Sequence, residues 1–175
     1  MKADDLASVI ERKKTRQGAD LATLSLLSPV LVVFLRHAGC MFCRETLSDV
    51  ARLRPSLETA GVRIVLVYHG KMHSMSTLLT RYGLGNLDQI HDNDLTLYRA
   101  FGLRRGSLRQ VMGLRVWPRA FAALRRHGVG IPQGDPLQMP GVFVLHHCEV
   151  LNSLRSRTVA DQLLANNPAV GFSKD

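Results

Sequence analysis

The residues best suited to chemistry are Cys40-Met41-Phe42-Cys43. Cysteines three positions apart share one face of a helical turn. The thiolate is the nucleophile, so a reactive cysteine needs a lowered pKa. A helix start supplies this, because its first N–H groups have no intrahelical partners and carry the positive end of the dipole. The flanking sequence predicts such a start. Val30 to Leu35 is a continuous apolar run that suits a buried strand. Gly39 marks a turn, and from Cys40 onward Leu47, Val50, Leu53 and Leu57 recur at helical spacing. Cys40 is therefore the candidate nucleophile toward a disulfide or peroxide, and Cys43 the thiol that resolves the intermediate as a Cys40–Cys43 disulfide. Two rival readings stand beside this one. The thiols could be small apolar packing groups. Alternatively, His37, Cys40 and Cys43 could begin a zinc site completed by His146, His147 or Cys148, although structural zinc normally takes four closed ligands.

The elements around the motif follow from periodicity. Residues 3–16 read as an amphipathic helix, and Gln17 to Ser28 as a looser segment. A helix from Cys40 should bend or end early at Pro55, and Gly61 should stop it. Val62 to Val67 is a second buried strand, so strand, helix and strand form a parallel crossover unit. Met72 to Tyr82 is a further helix, and Leu87 to Ile90 a short strand. Asp94 is placed to cap a helix to Phe101, which Gly102 closes. Short helices are expected in 103–127, with Trp117 and Phe121 in the core, followed by a Gly/Pro-rich loop over 128–140. Gly141 to Leu145 is a third strand, with Val150 to Leu154 as its hairpin partner and a frayed tail from Asn166.

Composition narrows the class. The chain has 175 residues, 46% of them hydrophobic, which fits one domain with its own core. Three cysteines do not make a disulfide-stapled secreted scaffold. No apolar run reaches the roughly 18 residues of a spanning helix. Lys13, Lys14 and Arg16 followed by apolar 21–35 and Ala38-Gly39-Cys40 imitate an export signal. Asp4, Asp5, Glu11 and Asp20 and the Arg36-His37 pair argue against it, and the expected location is the cytoplasm. The net charge is +9, and residues 95–134 hold eight arginines and no acid. Arg99 to Arg126 could therefore dock an acidic partner or form a solvated helical face. Nucleic acid is disfavoured, since no binding signature accompanies the charge.

With these residues in view, Val33-Phe34-Leu35-Arg36-His37-Ala38-Gly39-Cys40-Met41-Phe42-Cys43-Arg44-Glu45 resembles the peroxiredoxin-like branch of the AhpC/TSA antioxidant superfamily, which also contains the SelL-type proteins. Leu97-Tyr98-Arg99-Ala100-Phe101-Gly102-Leu103 and Gln138-Met139-Pro140-Gly141-Val142-Phe143 resemble two further stretches of that branch. The resemblance spans about residues 28–162. It implies an α/β thioredoxin-like fold, with a central mixed β-sheet flanked by helices. On that reading 1–27 is an N-terminal helical extension, 28–162 the redox core and 163–175 a flexible tail. It also implies a substrate groove at Met139, Pro140 and Gly141, with Pro140 in the place of the cis proline of thioredoxins.

Some positions depart from the family. His37 stands where ordinary peroxiredoxins carry Thr or Ser, and Pro140 where they carry Arg. Thiol–disulfide exchange needs only the two cysteines and access to them. It implies a thioredoxin- or glutathione-type thiol reductant, a disulfide or peroxide substrate, and no cofactor or metal.

Supporting roles are open. His37 is either a proton acceptor that raises the thiolate fraction or a satisfied histidine at a strand end. Arg36 and Arg44 either offset thiolate charge or are solvated, and Gly39 supplies the turn. Cys148 is a spare thiol, and His69, His73 and His91 show no ligand spacing. Asp161 is a cap or salt-bridge residue. The competing class is a non-catalytic module that binds nucleic acid or another anion, with structural or zinc-holding cysteines. Oligomeric state is left open, a dimer included.

Overall fold

The computed structural model describes residues 5–106, 135 and 137–155. Its elements run α1 (Leu6–Arg12), α2 (Leu21–Leu27), β1 (Val30–Phe34), α3 (Met41–Thr59), β2 (Arg63–Tyr68), α4 (Met72–Arg81), β3 (Asp88–His91), α5 (Thr96–Ala100), β4 (Gly141–His146) and β5 (Glu149–Arg155). The strands form one mixed sheet in the order β3-β2-β1-β4-β5. β1 pairs with β2 and β2 with β3 in parallel, while β4 and β5 pair antiparallel. With helices on both faces, this is the expected thioredoxin-like α/β fold.

β1 is the central strand and is buried along its whole length, which explains its uninterrupted apolar sequence. Alternate residues face opposite layers. Leu31 and Val33 pack with Leu47, Val50, Met75 and Leu79 of α3 and α4. Val30, Val32 and Phe34 pack with Ile10, Leu21, Leu97 and Tyr98 of α1, α2 and α5. Phe34 lies at the centre of a ring cluster, 5.0 Å from Tyr98, 5.0 Å from Phe101 and 5.5 Å from Phe143. Gly141 pairs with Phe34, and a Cβ there would lie 2.8 Å from Leu103 Cδ2. The start of β4 therefore has no room for a side chain.

Several elements differ from the sequence expectation. Residues 21–27 are a helix, not a looser segment, because the Asp20 carboxylate accepts the Thr23 N–H at 2.8 Å and caps it. α1 is shorter than 3–16, since Lys14 turns back to bridge with Asp20. α3 runs through Pro55 to Thr59. Buried Leu57 holds its last turn, as does Arg54, which bonds Glu58, the Gly83 carbonyl and Asn86. α5 starts later than expected and depends mainly on Asp92, which accepts the Leu97 N–H at 2.8 Å, while Asp94 accepts Thr96 at 3.3 Å. The expected helices of 103–127, Trp117, Phe121, Asp161 and the tail lie outside the described residues.

Candidate active site

β1 ends at Phe34, and the chain crosses Leu35 to Gly39 before Cys40 caps α3. The turn is closed by the Cys40 N–H, which donates to the His37 carbonyl at 3.0 Å. Cys40 therefore lies at the mouth of the helix, and Cys43 sits within its first turn. Both thiols are free and buried, and Cys40 is 6% exposed against 2% for Cys43.

The two thiols have opposite environments. A hydrogen bond from the Cys43 thiol, the Arg36 charge and the N–H groups of Phe42 and Cys43 favour the Cys40 thiolate. Together they outweigh burial and hold its pKa down to about 6. The Arg36 guanidinium donates to Cys40 Sγ at 3.5 Å from a side chain that is itself buried. Cys43 is pushed well above the ordinary thiol range, first by burial and then by the neighbouring Cys40. Its sulfur accepts the backbone N–H of Arg36 at 3.1 Å. One residue thus serves both sulfurs, Cys40 through its side chain and Cys43 through its backbone.

The other predicted residues divide. His37 is buried, and burial, with the Arg36 and His69 charges, holds its pKa at about 4. Its imidazole is neutral at pH 7 and adds no positive charge beside Cys40, although its Nδ1 has no hydrogen-bond partner. Arg44 enters through its backbone, donating to the Cys40 carbonyl at 3.3 Å. Gly39 is buried inside the turn. Pro140 joins Phe34, Leu35, Arg36, Phe42, Cys43 and Thr46 around a cavity of about 10 Å³, near the room one water needs. Met139 and Gly141 are buried beside it as packing residues. The Met139–Pro140 bond is trans, unlike its thioredoxin counterpart.

Among the described residues no three His, Cys, Asp or Glu side chains gather into a metal-holding cluster. His37, Cys40 and Cys43 do not form the start that a zinc site needs. The His146 and His147 rings lie 4.0 Å apart and tilted to each other, and the Cys148 N–H donates to Ser25 Oγ at 3.0 Å. Of the Arg-rich stretch, Arg99 bonds the Asp94 carbonyl and Arg105 pairs with Asp135 at 2.6 Å. Arg109 to Arg126 lie outside the described residues. No described helix is long and apolar enough to cross a membrane.

Two residues near the site were missed. His69 follows β2 as Arg36 follows β1; it is buried, its pKa is lowered to about 4 by burial, and its Nε2 has no hydrogen-bond partner. Tyr98 is fully buried and donates its hydroxyl to the Leu35 carbonyl. The available signal was topological: residues just past the carboxyl ends of parallel strands line the crevice where such sheets bind ligands. A wider depression of about 360 Å³ lies at the other end of the sheet, where Arg54 pairs with Glu58 and Arg63 with Asp88.

Comparison with known proteins bears on the family and the fold. The family model described as AhpC/TSA antioxidant enzyme matches residues 49–156, more than half of the chain, beginning just after the cysteine motif. The prostamide/prostaglandin F synthase of Bos taurus is 28% identical over 79% of this chain and 70% of its own. The peroxiredoxin-like 2C protein of Bos taurus is 26% identical over 66% of this chain and 54% of its own. Among solved structures, the bacterioferritin comigratory protein of Xanthomonas campestris superposes with a TM-score of 0.61. It is 16% identical and covers 88% of this chain and 86% of that one, a likeness of fold.

Proposed function

The chain belongs to the AhpC/TSA antioxidant enzyme family as a peroxiredoxin-like oxidoreductase, and on that premise we propose that it works by thiol–disulfide exchange, with Cys40 as nucleophile and Cys43 as resolving thiol. The observation that supports this reading most is the division between the two sulfurs. Cys40 is favoured as thiolate near neutral pH, while Cys43 stays protonated until it is needed.

The Cys40 thiolate attacks one sulfur of a substrate disulfide, forms a mixed disulfide and expels the other sulfur as thiolate. Cys43 then loses its proton, attacks Cys40 Sγ and releases the second substrate thiol. Two electrons have passed to the substrate, and the Cys40–Cys43 pair is oxidised. A thioredoxin- or glutathione-type thiol returns those electrons. With a peroxide, Cys40 becomes a sulfenic acid as the alcohol leaves, and Cys43 displaces water. Arg36 stabilises the Cys40 thiolate, His37, neutral and with an open ring nitrogen, serves as proton acceptor for Cys40, and the proton that Cys43 releases passes to the departing substrate sulfur. Pro140 lines the substrate side of the pair. The run of arginines from Arg99 to Arg126 carries the positive charge that an acidic partner would recognise, and the cytoplasm suits a pair that must be kept reduced.

Mild oxidation followed by alkylation and peptide mapping tests this directly. The expected product is a Cys40–Cys43 disulfide, with Cys148 alkylated. Cys40→Ser should abolish turnover of disulfide and peroxide alike. Two free thiols under oxidant, or retained turnover in Cys40→Ser, would remove the mechanism.

A further inference from the structure

The Leu35–Arg36 peptide bond is held at both ends. Its N–H donates to Cys43 Sγ at 3.1 Å. Its carbonyl accepts the Tyr98 hydroxyl, from a ring with no solvent exposure. A hydroxyl has one proton to donate. The Leu35 carbonyl is the nearer acceptor, and the other carbonyl near the hydroxyl, Val67, is a longer contact at 3.3 Å. The phenol proton therefore goes to Leu35. Hydrogen bonds in series polarise one another, so a donor on the carbonyl makes the N–H of the same peptide a stronger donor.

We infer that Tyr98 is a positioning residue for the resolving thiol, acting on Cys43 through the Leu35–Arg36 peptide. The inference rests on the assignment of Cys43 as the resolving thiol. When Cys43 gives up its proton to attack Cys40 Sγ, its sulfur carries negative charge in a buried site. The Arg36 N–H is the backbone donor already in place for that charge, and Tyr98 strengthens it from behind. The phenol stays protonated throughout, since burial and a neighbouring Cys43 thiolate both push its own ionisation upward. Arg36 thus stabilises the first thiolate with its side chain, and Tyr98 the second through the backbone. The bonds made and broken are those of the exchange itself, and Tyr98 neither gains nor loses a proton.

The test separates the two steps. Reduced protein is mixed with excess dithiobis(nitrobenzoate), a chromogenic aromatic disulfide. Attack by Cys40 releases one coloured thiolate, and resolution by Cys43 releases the second, read at high substrate on a Cys148→Ser background. Tyr98→Phe should leave the first phase unchanged and slow the second roughly five- to tenfold, the scale of one hydrogen bond. An unchanged second phase overturns the role of Tyr98 and leaves the Cys40–Cys43 assignment standing. Both phases slowed alike also overturn it, since the loss is then one of packing. No first phase in the parent protein removes the underlying assignment instead. Fluorotyrosine at position 98 keeps the shape and is a stronger donor, so it decides the matter should Tyr98→Phe not fold. It should speed the second phase by about twofold, and no change or slowing overturns the inference.

Discussion

Asp92 and Arg36 are both buried charged residues, and each follows the end of a strand in the parallel half of the sheet. Around Asp92 the partners are fixed, although burial and the neighbouring Asp94 raise its pKa. Lys13 of the segment after α1 lies 2.7 Å from it, and the Leu97 and Tyr98 N–H groups also donate to its carboxylate. Lys13 also reaches Asp94 at 2.5 Å, so three charges fasten α1 to β3 and α5. Around Arg36 one of the partners titrates. The guanidinium faces a sulfur that is negative only as a thiolate, and His37 and His69 beside it keep ring nitrogens without hydrogen-bond partners. A buried charge whose partners are permanent is an anchor. One whose partner is a titrating nucleophile is part of a reaction.

That contrast can be broken by mutation. The largest effect is expected from Asp92→Ala, which leaves Lys13 with Asp94 alone and takes the acceptor from two buried helix N–H groups. Leaving such donors unsatisfied costs about 2–4 kcal/mol in all, measurable by urea denaturation. The alkylation midpoint of Cys40 should not move; a shift there would mean that anchor and site are one unit. Next comes Arg36→Met, which keeps the backbone bond to Cys43 and removes the charge beside Cys40. The Cys40 midpoint should rise by about one pH unit, for a cost on the order of 1.4 kcal/mol, read from iodoacetamide rates across pH. An unmoved midpoint would leave Arg36 as packing only.

In the parent protein the same rates should rise with pH through a midpoint of about 6. The folded value lies below the ordinary 9.0, so the native state binds fewer protons between them. This stabilisation is present in full above pH 9 and is lost as pH falls through 6. The stability difference between the parent and Cys40→Ser should grow across that window. The smallest effect is expected at the exposed pair Asp49–Arg52, 3.3 Å apart with the Arg52 side chain 58% exposed. Arg52→Ala should change stability by less than ~0.5 kcal/mol.

Much of this molecule was legible in its residues. β1, β2 and β4 are apolar runs because the strands are covered on both faces, and α3 shows its period because one side faces the core. The cysteine motif was visible because strand, turn and helix start are local patterns. α2 was missed because Ser25 sits on its buried face while Leu26 and Leu27 are exposed, which blurs the period, and Asp20 alone marks its beginning. The continuation of α3 past Pro55 depends on Arg54 bonds to residues 29 and 32 positions away. No local rule reaches that far.

The amino-acid sequence by itself determined the fold class, the cysteine pair and its place at a helix mouth, because hydrophobic period and turn chemistry act between near neighbours. Only the tertiary structure decided how the two sulfurs differ. Their pKa values depend on burial and on which groups of Arg36 reach them, and both follow from where β1 lies in the sheet. The same holds for Tyr98 and His69, 63 and 33 positions from Leu35 and Arg36: Tyr98 meets Leu35 because α5 packs on β1, and His69 comes beside Arg36 because β1 and β2 run side by side.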